Sequence, residues 1–134
     1  MPTDSQPAAA VGLTRGADAG WSEHRSGMQI QFGVSGELTG SRHVFMTRQR
    51  IPPGMHSTPH THTNCETALF VLVGPVLMRH GARLEHEHLA ESGDFLHVPA
   101  NAPHQLINPS TEQDAEVVLC RDAAEELVAE LDLD

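Results

Sequence analysis

The sequence contains no lysine and no tyrosine, and its only cysteines are Cys65 and Cys120. All 8 basic residues are arginines, against 18 acidic residues, so the formal net charge is -10. A chain of this sign repels a phosphate backbone, and nucleic acid is therefore not an expected partner. Two cysteines make neither a disulfide framework nor a CxxC pair, which fits a reducing compartment. We therefore expect a cytoplasmic protein.

Long apolar runs are also lacking. No stretch of 18 consecutive apolar residues occurs, so we expect no membrane span, and the N-terminus has no basic region typical of an export signal. Residues 1–20 are rich in Pro, Gly, Ala and Asp and are predicted to form a flexible arm. The length of 134 residues fits one domain with one core, which we place at residues 21–121.

Short apolar or alternating runs fill this domain, and turn-forming residues separate them. The runs cover residues 28–34, 43–51, 66–73, 75–80, 83–90, 94–99, 104–108 and 115–120. Eight short strands at this spacing predict an all-β, antiparallel sandwich or barrel.

The C-terminal residues have a different pattern. Residues 121–134 read RDAAEELVAELDLD, and from residue 122 onward this pattern predicts a short C-terminal helix and tail. Asp122 can cap the helix, with Glu125 three residues further on. Its apolar side would consist of Leu127, Val128 and Leu131. We expect this helix to pack on the barrel.

The stretch PHTHTNCET, residues 59–67, is the first candidate site. His60 and His62 are two residues apart, and side chains at this spacing face the same way on a strand but not on a helix. On a straight strand Glu66 would stand about 13 Å from His62, so the chain must turn between them. A turn at the intervening Thr-Asn pair would place Glu66 opposite the histidines on the next strand. Cys65 would then project to the other face.

The segment GDFLHVPANAPHQLIN, residues 93–108, supplies a fourth candidate ligand. Pro99, Asn101 and Pro103 predict a tight connection. His104 opens the strand that follows, where its side chain could point into a barrel.

Together these two segments resemble the cupin superfamily, whose motifs read G(x)5HxH(x)3-4E(x)6G and G(x)5PxG(x)2H(x)3N. The first motif runs from Gly54 through His60, His62 and Glu66 to Gly74, with seven residues instead of six before the last glycine. The second runs from Gly93 through Pro99, Asn101 and His104 to Asn108, with Asn101 in place of a glycine. Asparagine tolerates the left-handed conformation, so it can replace that turn glycine. The resemblance covers about residues 28–120.

The resemblance implies a double-stranded β-helix, or jelly-roll, barrel with one divalent transition metal per chain. The residues that match the family's ligands are His60, His62, Glu66 and His104. Three imidazoles and a carboxylate suit Fe, Mn, Ni, Cu or Zn. A metal there implies an enzyme that acts on a small organic molecule by dioxygenase-like oxidation, isomerisation or lyase chemistry. The alternative is a non-catalytic barrel that binds or senses a small molecule.

Other histidines have simpler interpretations. His56 lies four residues before His60 and is a candidate acid or base at the barrel mouth. His86 and His88 alternate with glutamates, which predicts an exposed strand. His97 lies within a strand and is expected to be partly buried and hydrogen-bonded.

The two faces of strand 43–51 predict different substrates. Arg48 and Arg50 share one face and would favour a carboxylate-bearing substrate, whereas Phe45 and Gln49 on the other face would line a less charged pocket. The sequence does not choose between these faces. The candidate pocket residues are therefore Phe45, Arg48, Gln49 and Met78, with Phe32 and Leu106 as further walls.

Strand 66–73 is apolar on both faces. Leu69, Val71 and Val73 alternate with Ala68, Phe70 and Leu72. The outer face of this strand therefore needs cover. Together with the resemblance, this pattern predicts a homodimer.

Overall fold

The computed structural model describes residues 9–24 and 27–132. Within these ranges the chain forms eleven strands and one helical turn. The strands are β1 (Ser22–Glu23), β2 (Gln29–Val34), β3 (Phe45–Ile51), β4 (His60–His62), β5 (Thr67–Val73), β6 (Val76–His80), β7 (His86–Ala90), β8 (Phe95–Val98), β9 (His104–Ile107), β10 (Ala115–Arg121) and β11 (Val128–Glu130). The helix α1 spans Gly36–Thr39, and the side chain of Ser35 caps it.

The strands form two antiparallel sheets that face each other. The six-stranded sheet has the order β1-β2-β3-β10-β5-β8, and the five-stranded sheet has the order β11-β4-β9-β6-β7. Both sheets contribute fully buried side chains to the core, among them Ile51, Val71, Val76 and Val117. This arrangement is the antiparallel jelly roll that the sequence predicted.

The alternation along β3 determines which of its faces is inside. Phe45, Gln49 and Ile51 are buried, whereas the arginines between them lie on the outer face. Arg48 Nη2 lies 2.8 Å from Glu116 Oε1 on the neighbouring β10. The guanidinium group of Arg50 lies 4.4 Å from the centre of the Trp21 ring. The arginine face is therefore occupied by surface contacts.

The prediction of a C-terminal helix is wrong. Residues 122–127 form an irregular segment, and the following residues form β11, which pairs with β4 so that Val128 lies opposite His62. Thr63 N donates to Leu127 O, and Leu131 N donates to Pro59 O, each at 2.9 Å. A short isolated helix is only marginally stable, whereas the free edge of β4 offers this segment backbone partners.

Residues 9–20, the described part of the predicted flexible arm, lie beside β2. Thr14 Oγ1 donates to Gly33 O at 2.8 Å. Gln31 Nε2 donates to Gly16 O at 2.7 Å and to Ala19 O at 3.2 Å. Residues 1–8 of the arm lie outside the described residues, and its flexibility stays a prediction. No helix within residues 9–24 and 27–132 is long and apolar enough to cross a membrane.

Candidate metal centre

Three histidines meet on the inner face of the five-stranded sheet. His60 and His62 lie on β4, and His104 lies on β9 directly opposite His60. One ring nitrogen from each side chain lies within 4.8 Å of the others, and the Nε2 atoms of His60 and His62 are 3.2 Å apart. His62 and His104 are buried, and His60 is half-buried. Among the described residues this is the group that could hold a metal ion.

In His60 and His104, the other ring nitrogen contacts a backbone carbonyl oxygen. His60 Nδ1 lies 2.6 Å from Thr58 O, and His104 Nδ1 lies 2.8 Å from Ala102 O. A carbonyl oxygen only accepts hydrogen bonds, so each of these Nδ1 atoms carries the hydrogen. The Nε2 atoms of both rings therefore keep their lone pairs, which are what a metal ion needs.

Burial keeps two of these rings neutral. Burial, together with the neighbouring His60, lowers the pKa of His104 to about 4. Burial also lowers the pKa of His60, and the nearby His62 adds to this effect. Neutral imidazole is the form that binds metals, so no proton has to be displaced from these two rings at neutral pH.

The donor set fits a transition metal. Two nitrogens that each lie about 2.1 Å from one ion are about 3.0 to 3.4 Å apart in octahedral or tetrahedral geometry. The observed Nε2 to Nε2 distance of 3.2 Å between His60 and His62 lies in this range. Two facing lone pairs at that distance would repel each other without a cation or a shared proton between them.

Glu66, expected as the fourth ligand, is not part of this group. Its Oε1 accepts a hydrogen bond from His97 Nε2 at 2.8 Å on the outer side of the barrel, where the two side chains are 59% and 64% exposed. Thr67 and Leu69 on β5 point inward, so Glu66 points outward. Cys65 is buried instead of projecting to the outer face.

His97 is hydrogen-bonded as predicted, but its side chain is exposed and not partly buried.

The carboxylate near the histidines is Glu126, which lies in the segment that the sequence predicts as a packing helix. Its Oε2 lies 3.2 Å from His62 Nδ1 and 3.3 Å from Arg121 Nη2. Burial would raise the pKa of this carboxyl, but the contact with His62 and the charge of Arg121 outweigh burial and hold the pKa below its usual value. Glu126 is therefore ionised at neutral pH. No local motif marks this residue, because it reaches the site from the segment before β11.

Arg121, at the end of β10, is a second site residue that the sequence did not indicate. It is only 5% exposed, and its guanidinium group lies 5.4 Å from the centre of the Phe45 ring. Its Nε and Nη1 atoms have no hydrogen-bond partner among the described residues. A buried cation of this kind requires a nearby negative charge, which Glu126 supplies.

The three histidines line a cavity of about 410 Å³ between the sheets. Its other walls are mainly apolar. They include Met28, Ile30, Leu69, Met78, Val98, Leu106, Leu119 and Val128. Polar groups come from Gln49, Ser57, Thr58, Thr67, Arg121 and Glu126, among others. A volume of this size is typical of a site for a small organic molecule.

The predicted pocket residues divide into two groups. Gln49 and Met78 line the cavity, as does Leu106. Phe45 points inward but lines a separate groove beside α1, together with Phe32. Arg48, on the outer face of β3, contributes nothing to the cavity, because the alternation of the strand turns it away.

The predicted acid or base, His56, lies outside the cavity wall. Its side chain is exposed, and its Nδ1 lies 2.9 Å from Ser57 O and 3.2 Å from Gln105 Nε2. The neighbouring Ser57, by contrast, lines the cavity. His86 and His88 lie on the exposed strand that the sequence predicted.

Comparison with protein-family models matches residues 47–120 to the cupin domain, and the chain belongs to that family. Among solved structures, the polyketide cyclase RemF from Streptomyces resistomycificus matches with a TM-score of 0.78 and 15% identity, covering 93% of this chain and 88% of that one. A sugar phosphate isomerase from Silicibacter pomeroyi matches with a TM-score of 0.62 and 22% identity, covering 78% and 67%.

An oxalate oxidase in complex with the substrate analogue glycolate also matches, with a TM-score of 0.71 and 17% identity. The match covers 88% of this chain but 62% of the oxidase. At these identities the similarity shows the shared barrel and nothing about substrate. No curated protein matches the sequence.

Proposed function

We propose that the protein is a metal-dependent enzyme that acts on a small, mainly apolar organic molecule. The observation that carries this proposal is the arrangement of His60, His62 and His104 at the wall of the 410 Å³ cavity. When bound, a divalent transition metal supplies Lewis-acid or redox chemistry beside the substrate.

The chain itself provides binding and orientation. The apolar walls of the cavity fit a carbon skeleton. Gln49 lines the cavity from β3, and Thr67 lines it from β5. The hydroxyl of Thr67 is buried without a hydrogen-bond partner among the described residues. Because Arg48 and Arg50 face outward, they do not favour a carboxylate-bearing substrate.

The type of reaction depends on the metal that the site binds. The similar structures include a cyclase, an oxidase and an isomerase, which shows that the barrel supports unrelated reactions. For this chain we propose dioxygenase-like oxidation, isomerisation or lyase chemistry, with the metal as the deciding factor. Iron or copper would favour oxidation, and zinc would favour Lewis-acid chemistry.

Elemental analysis of protein purified without added metal or chelator tests the metal centre. We expect about one transition metal per chain in the wild type and none in the His60→Ala, His104→Ala double variant. The double variant His86→Ala, His88→Ala is a matched control, because it removes two exposed histidines outside the site. A wild-type protein that stays metal-free after reconstitution contradicts the proposal.

Substrate screening under air and under nitrogen then tests catalysis. Product formation that disappears in His62→Ala, with the fold retained, supports the enzyme. A compound that raises the melting temperature and gives no product under either condition indicates the non-catalytic binding barrel instead.

We also propose a homodimer, formed through the outer face of the six-stranded sheet. Phe95 on β8 is 78% exposed, and Leu72 on β5 is 45% exposed. The Phe95 ring packs 4.9 Å from Phe70 across the two strands, which makes a continuous apolar surface. Analytical ultracentrifugation should show a dimer for the wild type and a monomer for Phe95→Glu. A wild type that stays monomeric at high micromolar concentration would contradict the proposed homodimer.

The cytoplasmic location is likewise a proposal. Cys65 is buried and Cys120 is exposed, and both are free thiols. The fold thus makes no use of a disulfide between them, which supports a reducing compartment.

A further inference from the structure

We propose that Glu126, and not the motif residue Glu66, is the carboxylate that serves the metal centre, and that it does so by orienting the ring of His62. This inference rests on the proposed metal site. It gives a positioning role to Glu126, which lies outside both cupin motifs. Glu126 lies in the irregular segment between β10 and β11.

His62 lacks the backbone partner that the other two histidines have. Thr58 O and Ala102 O hold the Nδ1 atoms of His60 and His104. His62 is only 3% exposed, and its Nδ1 is buried with no formed hydrogen bond among the described residues. Glu126 Oε2 lies 3.2 Å from that atom, which is within hydrogen-bond distance. The orientation of the two groups does not meet the angular requirement for a hydrogen bond. A carboxylate only accepts, so a hydrogen bond here requires a hydrogen on Nδ1, and in the neutral ring Nε2 is then the nitrogen that keeps its lone pair.

Arg121 fixes the carboxylate from the other side. Its Nη2 lies 3.3 Å from the same oxygen, Glu126 Oε2, that contacts His62. The guanidinium group is held by burial and by the Phe45 ring, so it has little freedom to follow the carboxylate elsewhere. Breaking this buried ion pair would leave an uncompensated charge, which opposes any movement of Glu126 away from the site.

The backbone on both sides of Glu126 is tied to the loop that follows β4. Asn64 Nδ2 donates to Glu125 O at 2.9 Å, and Leu127 N donates to Asn64 Oδ1 at 2.8 Å. One asparagine side chain therefore holds the residues before and after Glu126. This loop continues directly from His62, so the histidine and its carboxylate share one rigid support.

Such a carboxylate acts on a metal through the histidine. It sets the tautomer, restricts rotation of the ring and makes the coordinating nitrogen more basic. Removal of partners of this kind typically weakens metal binding by about 10- to 100-fold. Glu66 cannot act in this way from the outer face, where it pairs with His97.

The first experiment compares three glutamate-to-glutamine variants, which lose the same charge. Zn²⁺ affinity is measured by competition with a chromophoric chelator for Glu126→Gln, Glu125→Gln and Glu66→Gln. We expect a loss of about 10- to 100-fold for Glu126→Gln and unchanged affinity for the other two. Loss of affinity in Glu66→Gln with none in Glu126→Gln would overturn the inference. Circular dichroism of each variant verifies that the fold is retained.

The second experiment does not depend on metal binding or on a variant that folds. Long-range ¹H–¹⁵N correlation spectra of the metal-free wild type report the tautomer of each histidine. We expect His62 to carry a hydrogen on Nδ1, as His60 and His104 do, whether or not a further proton is shared between the Nε2 atoms of His60 and His62. A His62 ring that carries its hydrogen on Nε2 alone would refute the role of Glu126. A wild type that binds neither Zn²⁺ nor another transition metal contradicts the proposed function, whereas the His62 tautomer tests the role of Glu126 in either case.

Discussion

At the scale of single residues, Asn101 connects the two halves of the site. Its φ of 64° lies in the left-handed region that favours glycine, the residue that the cupin motif has at this position. Its backbone N donates to His62 O at 2.8 Å. The turn that precedes His104 is therefore attached to the strand that carries the other two histidines.

Substitutions of Asn101 should separate backbone conformation from side-chain chemistry. Asn101→Ala is expected to lower the free energy of unfolding by about 1 kcal/mol, because a Cβ without a compensating polar group is strained in this conformation. Asn101→Gly should stay close to the wild type, since glycine has no such strain. Urea denaturation of both variants measures the difference. Equal stability of the alanine and glycine variants would contradict a conformational role.

The two cysteines should differ strongly in reactivity. Burial raises the pKa of the Cys65 thiol above its ordinary value, so less thiolate is present at a given pH, and its burial also restricts access. Cys120 is exposed. Iodoacetamide at pH 8 should modify Cys120 first and reach Cys65 only at higher pH or in denaturant, as followed by mass spectrometry. The Cys120→Ser variant, which leaves Cys65 as the one thiol, should then react slowly in the folded state.

At the scale of elements, most strands were predictable from the sequence, but the edge strand β11 was not. Alternation of buried and exposed positions is a local property, so the eight runs from residue 28 to 120 correspond to eight of the eleven strands within the described residues. The segment that contains β11 has a helical period of apolar residues, and only its non-local pairing with β4 makes it a strand. Glu126 could not be found before that pairing was known.

The misplacement of Glu66 has a related cause. In a strand, one residue more or less in the preceding turn moves every following side chain to the opposite face. The sequence shows that a turn follows His62, but it does not show how many residues the turn uses. The positions of His60, His62 and His104 do not depend on this number, because each residue belongs to a strand. The structure brings these three histidines together, and their role as metal ligands stays a prediction.

Pairing of β11 with β4 should support metal binding. The bonds from Thr63 N to Leu127 O and from Leu131 N to Pro59 O imply that Ala129 occupies the hydrogen-bonding position between them. Ala129→Pro should lower the free energy of unfolding by about 1 kcal/mol or more and weaken Zn²⁺ binding about tenfold. Ala129→Ser, which keeps the backbone N–H, should match the wild type in both measurements. Equal Zn²⁺ affinity of the two variants would show that β11 does not hold the site.

At the scale of the whole molecule, the cavity joins the two sheets. The histidines come from the five-stranded sheet, whereas Gln49, Thr67 and Leu119 come from the six-stranded sheet. An ion or ligand bound here therefore contacts both layers of the domain. Its binding should stabilise the fold as a unit.

Saturating metal should accordingly raise the melting temperature. An ion at about 100 times its dissociation constant adds about 2.7 kcal/mol to the free energy of unfolding when it binds only the folded state. For a domain of this size the shift is roughly 10 °C. Differential scanning fluorimetry with Zn²⁺ should show it in the wild type and not in the His60→Ala, His104→Ala variant. An equal shift in both proteins would place the bound ion elsewhere.

The position of β11 also bears on how long an ion stays bound. The three side chains of this strand are exposed, and it borders β4, the strand that carries two of the three histidines. Because it is an edge strand held by few backbone bonds, its separation from β4 is a local opening of low cost beside the site. The residence time of the metal would then follow the fraying of one edge strand, and the protein could exchange its ion many times within the lifetime of a single folded barrel.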